Sequence, residues 1–372
     1  MTRTLLGLVF ALAAADPATA QPPGKGPPPY TSPEVKDGKV TFRLRAPRAE
    51  KVGLTSSDIP GGQGPRAMKK GDGDLWEVTL DVAPGTYRYR IDVDGVPVVD
   101  PRNPAVSESF GSAWSVVRVP GAAFMDTADV PHGAVAAVTY HSKTVGRPRR
   151  AHVYTPPGYE AGADKYPVLY LLHGAGDSDD SWTSVGRAHD ILDNLIAAKK
   201  AVPMVVVMPA GHDGKFAFGR PMGDAPGARF EDDFERDLRP HVEQRYRVKT
   251  GRADRAVAGL SMGGLQTLNV FASRPADYSA VGVFSSGVFG NKEAQEAWAK
   301  QHSEALSAAA KDGPKVLWFA TGTDDFVLNS TRGTVELLKK LELKPEYKET
   351  EGGHTWINWQ RYLNEFAPKL FK

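Results

Sequence analysis

Gly259-Leu260-Ser261-Met262-Gly263-Gly264 sets a serine among small residues, after a short apolar run at 255–259 and before helix-compatible sequence at Met262–Ser273. A G-x-S-x-G spacing suits a sharp strand-to-helix turn whose central residue is strained, so that the hydroxyl stands clear at the helix N-terminus. Such a serine becomes a nucleophile when a base removes its proton and a carboxylate orients that base. Two histidines follow Ser261. His302 sits in a polar, Ala-rich helical stretch and reads as a surface histidine, whereas His354 follows Glu351-Gly352-Gly353 in a turn near the C-terminus, where a base is expected. The acid is expected in the loop Thr321-Gly322-Thr323-Asp324-Asp325-Phe326, and the residues alone leave Asp324 and Asp325 as alternatives. Two backbone N–H groups are the candidate oxyanion donors: Met262, at the start of the helix, and Ala175, in His173-Gly174-Ala175-Gly176. His173 reads as an orienting residue and not as a base.

These groups need a frame that brings distant loops together. Continuous apolar strands at Val168–Leu172, 204–208, 255–259, 281–284 and 316–319 alternate with helical spacing at 185–196, 230–246, Met262–Ser273, 331–341 and Trp356–Phe366, and a further strand is expected at Glu346–Thr350. Uninterrupted apolar strands between helices indicate a mostly parallel sheet covered on both faces, an α/β class. Upstream, residues 30–120 read as short strands and turns. Val40, Phe42 and Leu44 alternate with polar residues, as do Tyr87, Tyr89, Ile91 and Val93, and Asp94-Gly95 signals a hairpin. An all-β sandwich of about 90 residues is expected there, with Tyr87 and Tyr89 in its core. A linker is expected at 121–130 and the α/β domain at 131–372.

The 372 residues carry 46 Lys and Arg against 44 Asp and Glu, a net charge of +2 that gives no sign of a nucleic-acid or membrane-surface partner. There is no cysteine, which excludes disulfides, a thiolate nucleophile and Cys-ligated zinc. Arg3, the short apolar run at 5–15 and Ala18-Thr19-Ala20 fit a cleaved leader at 1–20, followed by a Pro/Gly-rich tether at 21–29. A secreted or periplasmic protein is therefore expected. No metal-ligand spacing such as H-E-x-x-H occurs, so neither metal nor cofactor is expected. The acidic run Asp177-Ser178-Asp179-Asp180 reads as a solvated loop in preference to a calcium site.

Taken together, several segments resemble the esterase D, or feruloyl-esterase-like, branch of the α/β-hydrolases (carbohydrate esterase family 1-like). They are Val153-Tyr154-Thr155-Pro156-Pro157-Gly158-Tyr159, Tyr166 through Gly174, Ser181-Trp182, Val206-Val207-Met208-Pro209, the Gly259–Gly264 turn, Gly322-Thr323-Asp324-Asp325 and Gly353-His354-Thr355-Trp356. The resemblance implies an α/β-hydrolase sandwich and a Ser-His-Asp esterase in which Asp325, the last position of its Gly-Thr-x-Asp motif, is the acid. Residues 30–120 are similar to early-set, immunoglobulin-like domains that accompany such esterases and that also resemble glycogen-binding modules. Expected substrates are acylated carbohydrates or aryl esters, with feruloyl or acetyl groups on plant cell-wall polysaccharide. Trp182, Trp356, Phe216 and Phe218 are candidate aromatic walls. The alternatives are an enterochelin-type siderophore esterase, with Arg220 and Arg229 as candidate partners of an acidic catechol substrate, and a carbohydrate-binding protein on a hydrolase scaffold.

Overall fold

The apolar runs pack into a single sheet because their residues are apolar toward both faces. In Val168–Leu172, the side chains of Val168, Tyr170 and Leu172 enter one buried cluster and those of Leu169 and Leu171 the opposite one. A strand with no polar face is stable only when both faces are covered. The computed structural model describes residues 29–61, 64–212 and 228–372. The expected leader, residues 21–28 of the tether, Phe216, Phe218 and Arg220 lie outside the described residues, as does the side chain of Arg229.

Among the described residues, eight strands form the central sheet: β1 (Ala134–Ser142), β2 (Arg147–Thr155), β3 (Val168–Leu172), β4 (Val205–Pro209), β5 (Arg255–Leu260), β6 (Ala280–Phe284), β7 (Val316–Gly322) and β8 (Glu346–Thr350). Their order is β1-β2-β4-β3-β5-β6-β7-β8. The first two strands run antiparallel to their neighbours, and β3 to β8 are mutually parallel. Helix Met262–Ser273 covers one face through Leu268, Val270 and Phe271. Helices Ala188–Ala197 and Trp356–Phe366 cover the other. This is the α/β-hydrolase architecture. Because β3 to β8 are parallel, the loops after β3, β4, β5, β7 and β8 all emerge at one edge of the sheet, where open α/β sheets hold their ligands.

Residues upstream of the sheet fold into two further sheets. One comprises Glu34–Lys36, Lys39–Arg45, Leu75–Asp81 and Lys69–Lys70. The other is built on Val52–Thr55, Gly85–Val93, Ser112–Val119 and Val106–Ser109, with Arg66–Ala67 and Val96–Val98 at its margins. Val40, Phe42 and Leu44 from the first sheet pack with Leu54, Tyr87, Tyr89 and Val117 from the second. Tyr87 and Tyr89 are thus core residues. Asp94 and Gly95, at φ 50° and 87°, turn the hairpin between Gly85–Val93 and Val96–Val98.

Three details depart from the sequence reading. The segment 121–130, expected as a linker, packs against the α/β unit: Met125 is buried in the cluster on one face of the central sheet, the Asn194 side chain donates to the Asp126 carbonyl (2.9 Å), and Thr127 donates to Asp190 (2.9 Å). The helix expected at 185–196 is broken at Arg187, whose φ of 55° separates the turn Ser181–Ser184 from Ala188–Ala197. The acidic run is not solvated. Asp177 and Asp179 are buried and partnered, Asp177 with the Arg88 guanidinium (2.6 Å) and Asp179 with the Arg150 guanidinium (2.7 Å) and the His152 ring (2.9 Å).

Candidate active site

Ser261 connects β5 to helix Met262–Ser273 with φ 51° and ψ −119°, a conformation L-residues rarely adopt. Its neighbours are small because nothing larger fits. A Cβ on Gly259 would lie 2.3 Å from the Gly263 carbonyl oxygen, one on Gly263 would lie 2.5 Å from the His173 carbonyl oxygen, and one on Gly264 would lie 2.4 Å from Ser286 Cβ. The turn is also tied from behind, since the Ser261 N–H donates to the Phe284 carbonyl (2.9 Å) and Ser286 Oγ donates to the Ser261 carbonyl (2.6 Å). Met262 is the first residue of the helix, so its N–H has no intrahelical acceptor.

The loops after β7 and β8 bring Asp325 to His354. His354 Nδ1 lies 2.9 Å and 3.1 Å from the two carboxylate oxygens of Asp325, whose side chain is wholly buried. Asp325 Oδ1 also accepts from the Val327 N–H (3.1 Å). Asp324 is exposed and its N–H donates to the Gly352 carbonyl (3.0 Å), whereas the carboxylate against His354 Nδ1 is that of Asp325. Close backbone approach aligns the two loops: a Cβ on Gly322 would lie 2.0 Å from the Gly352 carbonyl oxygen. Asn358 steadies the histidine loop by donating to the Gly353 carbonyl (2.9 Å).

The loop after β3 lies directly against Ser261, since a Cβ on Gly174 would be 3.4 Å from Ser261 Cβ. His173 is buried and clamps this loop. Its Nε2 accepts from the Gly211 N–H (2.8 Å), which leaves Nδ1 to donate to the Gly174 carbonyl (2.8 Å). Burial holds the His173 imidazole below its ordinary pKa and therefore neutral. His212 Nε2 donates to the Ala175 carbonyl (2.8 Å). Burial, reinforced by neighbouring His173, pushes His212 down to about 4. Among the described residues, no group accepts a hydrogen bond from the Ala175 N–H.

Ser261, Ala175, Met262, His354 and Asp325 thus share one edge of the sheet. The proposed walls Trp182 and Trp356 do not line it. Both are 0% exposed and stack edge to face with ring centroids 5.1 Å apart, which corrects the expectation that they face substrate. Their indole nitrogens are spent internally, Trp182 on the Leu172 carbonyl and Trp356 on Asp177. Two other aromatics do border the site. Phe326, 79% exposed, packs on the His354 ring (4.5 Å), and Phe110, from the upstream sandwich, packs on the His212 ring (4.3 Å). Phe326 adjoins the acid motif and was within reach of sequence reasoning. Phe110 was not, because its place depends on contact between segments about 100 residues apart. Among the described residues, no group of three or more His, Asp or Glu side chains is arranged to hold a metal ion.

Residues 142–370 match the family model described as putative esterase. The chain belongs to that family. It is 31% identical over 348 residues to an endo-1,4-beta-xylanase/feruloyl esterase of Xylanibacter ruminicola, an alignment covering 90% of this chain and 45% of that protein. Endo-1,4-beta-xylanase Y of Acetivibrio thermocellus is 25% identical, with 75% of this chain and 26% of that protein covered. The chain therefore spans less than half the length of these two curated relatives. A solved ferulic acid esterase is 26% identical with a TM-score of 0.57, covering 64% of this chain and 98% of that one. An enterochelin esterase of Shigella flexneri shares the fold at 18% identity and a TM-score of 0.67, covering 91% of this chain and 94% of that one.

Proposed function

We propose that the chain is an exported serine esterase that removes feruloyl or acetyl groups from plant cell-wall polysaccharide through an acyl-enzyme. The observation that carries the mechanism is the buried Asp325 carboxylate against His354 Nδ1, at the sheet edge that also holds the strained Ser261. With Nδ1 engaged by Asp325, Nε2 is the nitrogen left to take the Ser261 proton as Oγ attacks the ester carbonyl. The Ala175 and Met262 N–H groups stabilise the oxyanion. The carbonyl reforms, and the leaving alcohol departs with the proton from His354. Water then attacks the acyl-enzyme by the same route, and Asp325 holds the imidazole tautomer and offsets the imidazolium charge in both halves. No step calls on a metal or organic cofactor. Residues 30–120 are taken as an immunoglobulin-like early-set domain, 121–130 as its connection and 131–372 as the esterase domain.

A siderophore esterase is the second reading, because the Shigella flexneri enterochelin esterase aligns with the upstream sandwich as well. The cell-wall reading is favoured on two grounds. The Xylanibacter ruminicola relative also covers 90% of this chain. In addition, that relative is 31% identical to this chain, against 18% for the enterochelin esterase. Relative kcat/KM on methyl ferulate, acetylated xylan and enterobactin tests this choice. Strong preference for enterobactin overturns it.

A further inference from the structure

Arg88 belongs to strand Gly85–Val93 of the upstream sandwich, yet it is buried against the esterase sheet. Its Nε donates to Asp58 (3.1 Å) within the sandwich, and its Nη1 donates to Asp177 (2.6 Å) across the interface. The guanidinium also lies 5.6 Å from the ring of Trp114 and 5.6 Å from that of Trp356, two residues after His354. Burial makes a guanidinium charge costly, and two carboxylates and two aromatic rings offset that cost here.

Asp177 is where the interface meets the reaction. Its Oδ2 accepts from the Gly174 N–H (3.1 Å), and its own N–H donates to the Gly174 carbonyl (3.1 Å), closing a tight turn around Ala175. Its Oδ1 takes Arg88 and the Trp356 indole N–H (3.4 Å). The sandwich grips the same turn through its backbone: Ser109 bridges Asp177, and the Phe110 N–H donates to the Gly176 carbonyl (3.4 Å). An oxyanion donor works only if its position is fixed before charge develops. We propose that Arg88 is a positioning residue for ester hydrolysis, acting through Asp177 to fix the 174–177 turn and so aim the Ala175 N–H. This rests on the assignment of Ser261 and Ala175 made above. It makes the upstream sandwich part of the catalytic framework and not a separable binding module.

The test compares Arg88→Met, Arg88→Lys, Asp177→Asn and the Arg88→Met/Asp177→Asn double variant in the full chain, each checked for native near-UV circular dichroism at the assay temperature. Removing one oxyanion donor outright costs about 100- to 1,000-fold in kcat, so misaiming one is expected to cost about 10- to 100-fold with KM within about threefold. Affinity for phenylboronic acid, whose tetrahedral serine adduct puts an oxygen at the oxyanion site, should weaken by a similar factor. Arg88→Lys keeps the charge but cannot span both carboxylates, and should fall between wild type and Arg88→Met. The double variant should be no slower than the worse single, because both act through one turn. Folded variants with a lowered melting temperature but unchanged kcat and boronate affinity would show a structural role only and overturn the proposal. Multiplicative losses in the double variant also overturn it. Ser261→Ala separates the two assignments: if it is inactive while Arg88→Met is fully active, this inference alone fails.

Discussion

Asp325→Asn removes the charge that faces the developing imidazolium while changing almost no volume. The carboxylate oxygens lie 2.9 and 3.1 Å from Nδ1, so the two charge centres are about 4 Å apart. At an effective dielectric of about 20, unit charges at that distance interact by about 4 kcal/mol. That corresponds to roughly a thousandfold in kcat, at 1.36 kcal/mol per decade. A second effect adds to it. Whichever way the amide is turned, its NH2 group lies near Nδ1, which repels the Nδ1–H tautomer and disfavours the free Nε2 that serine needs. Asp324→Asn is the matched control, since the exposed Asp324 side chain lies outside the pair. The assay is the initial rate on p-nitrophenyl acetate at saturating substrate and pH 7.5. Asp325→Asn is expected to lose about 1,000-fold or more, and Asp324→Asn less than threefold. An Asp325→Asn enzyme within tenfold of wild type, or an inactive Asp324→Asn enzyme, refutes the reasoning.

Two further outcomes follow from the same geometry. Gly264→Ala drives a methyl into Ser286, 2.4 Å from its Cβ, and displaces the hydroxyl that holds the Ser261 carbonyl. Overpacking of this kind costs about 1–3 kcal/mol, so the melting temperature should fall by several degrees together with kcat, and an unchanged melting temperature contradicts the packing argument. His212, held at about 4 by burial, contributes in a defined pH window. An unfolded histidine titrates near 6.5, so between about 6.5 and 4 the unfolded chain binds a proton that the folded chain does not, and stability falls as pH drops through that range. His212→Gln should therefore lose less melting temperature than wild type between pH 7 and pH 4.5. Equal losses in the two proteins count against this account.

Much of the frame was legible because apolar periodicity is local. Strands Val168–Leu172 and Glu346–Thr350 and helices Met262–Ser273 and Trp356–Phe366 stand where the sequence pattern puts them. The pair Ala134–Ser142 and Arg147–Thr155 did not stand out, since the first is exposed along most of its length and carries no clear alternation. Trp182 and Trp356 show the limit for aromatics, because a core indole and a cleft indole look alike until burial is known. The aspartates at 177 and 179 read as solvated because their partners, Arg88 and Arg150, are 89 and 29 residues away. Residue types alone could not separate Asp324 from Asp325. What distinguishes them geometrically is the crossing of the β7 and β8 loops, which turns the second aspartate inward to His354 and leaves the first in solvent.

The central claim is that Ser261 carries the acyl group. The direct test is mass spectrometry of the intact protein rapidly quenched during turnover of a slowly deacylating aryl ester, with Ser261→Ala in parallel. The account predicts one added acyl mass on wild type, mapping to the peptide that contains Ser261, and neither adduct nor turnover in the variant. Turnover by Ser261→Ala at the wild-type rate, or an adduct on a different residue, would contradict it.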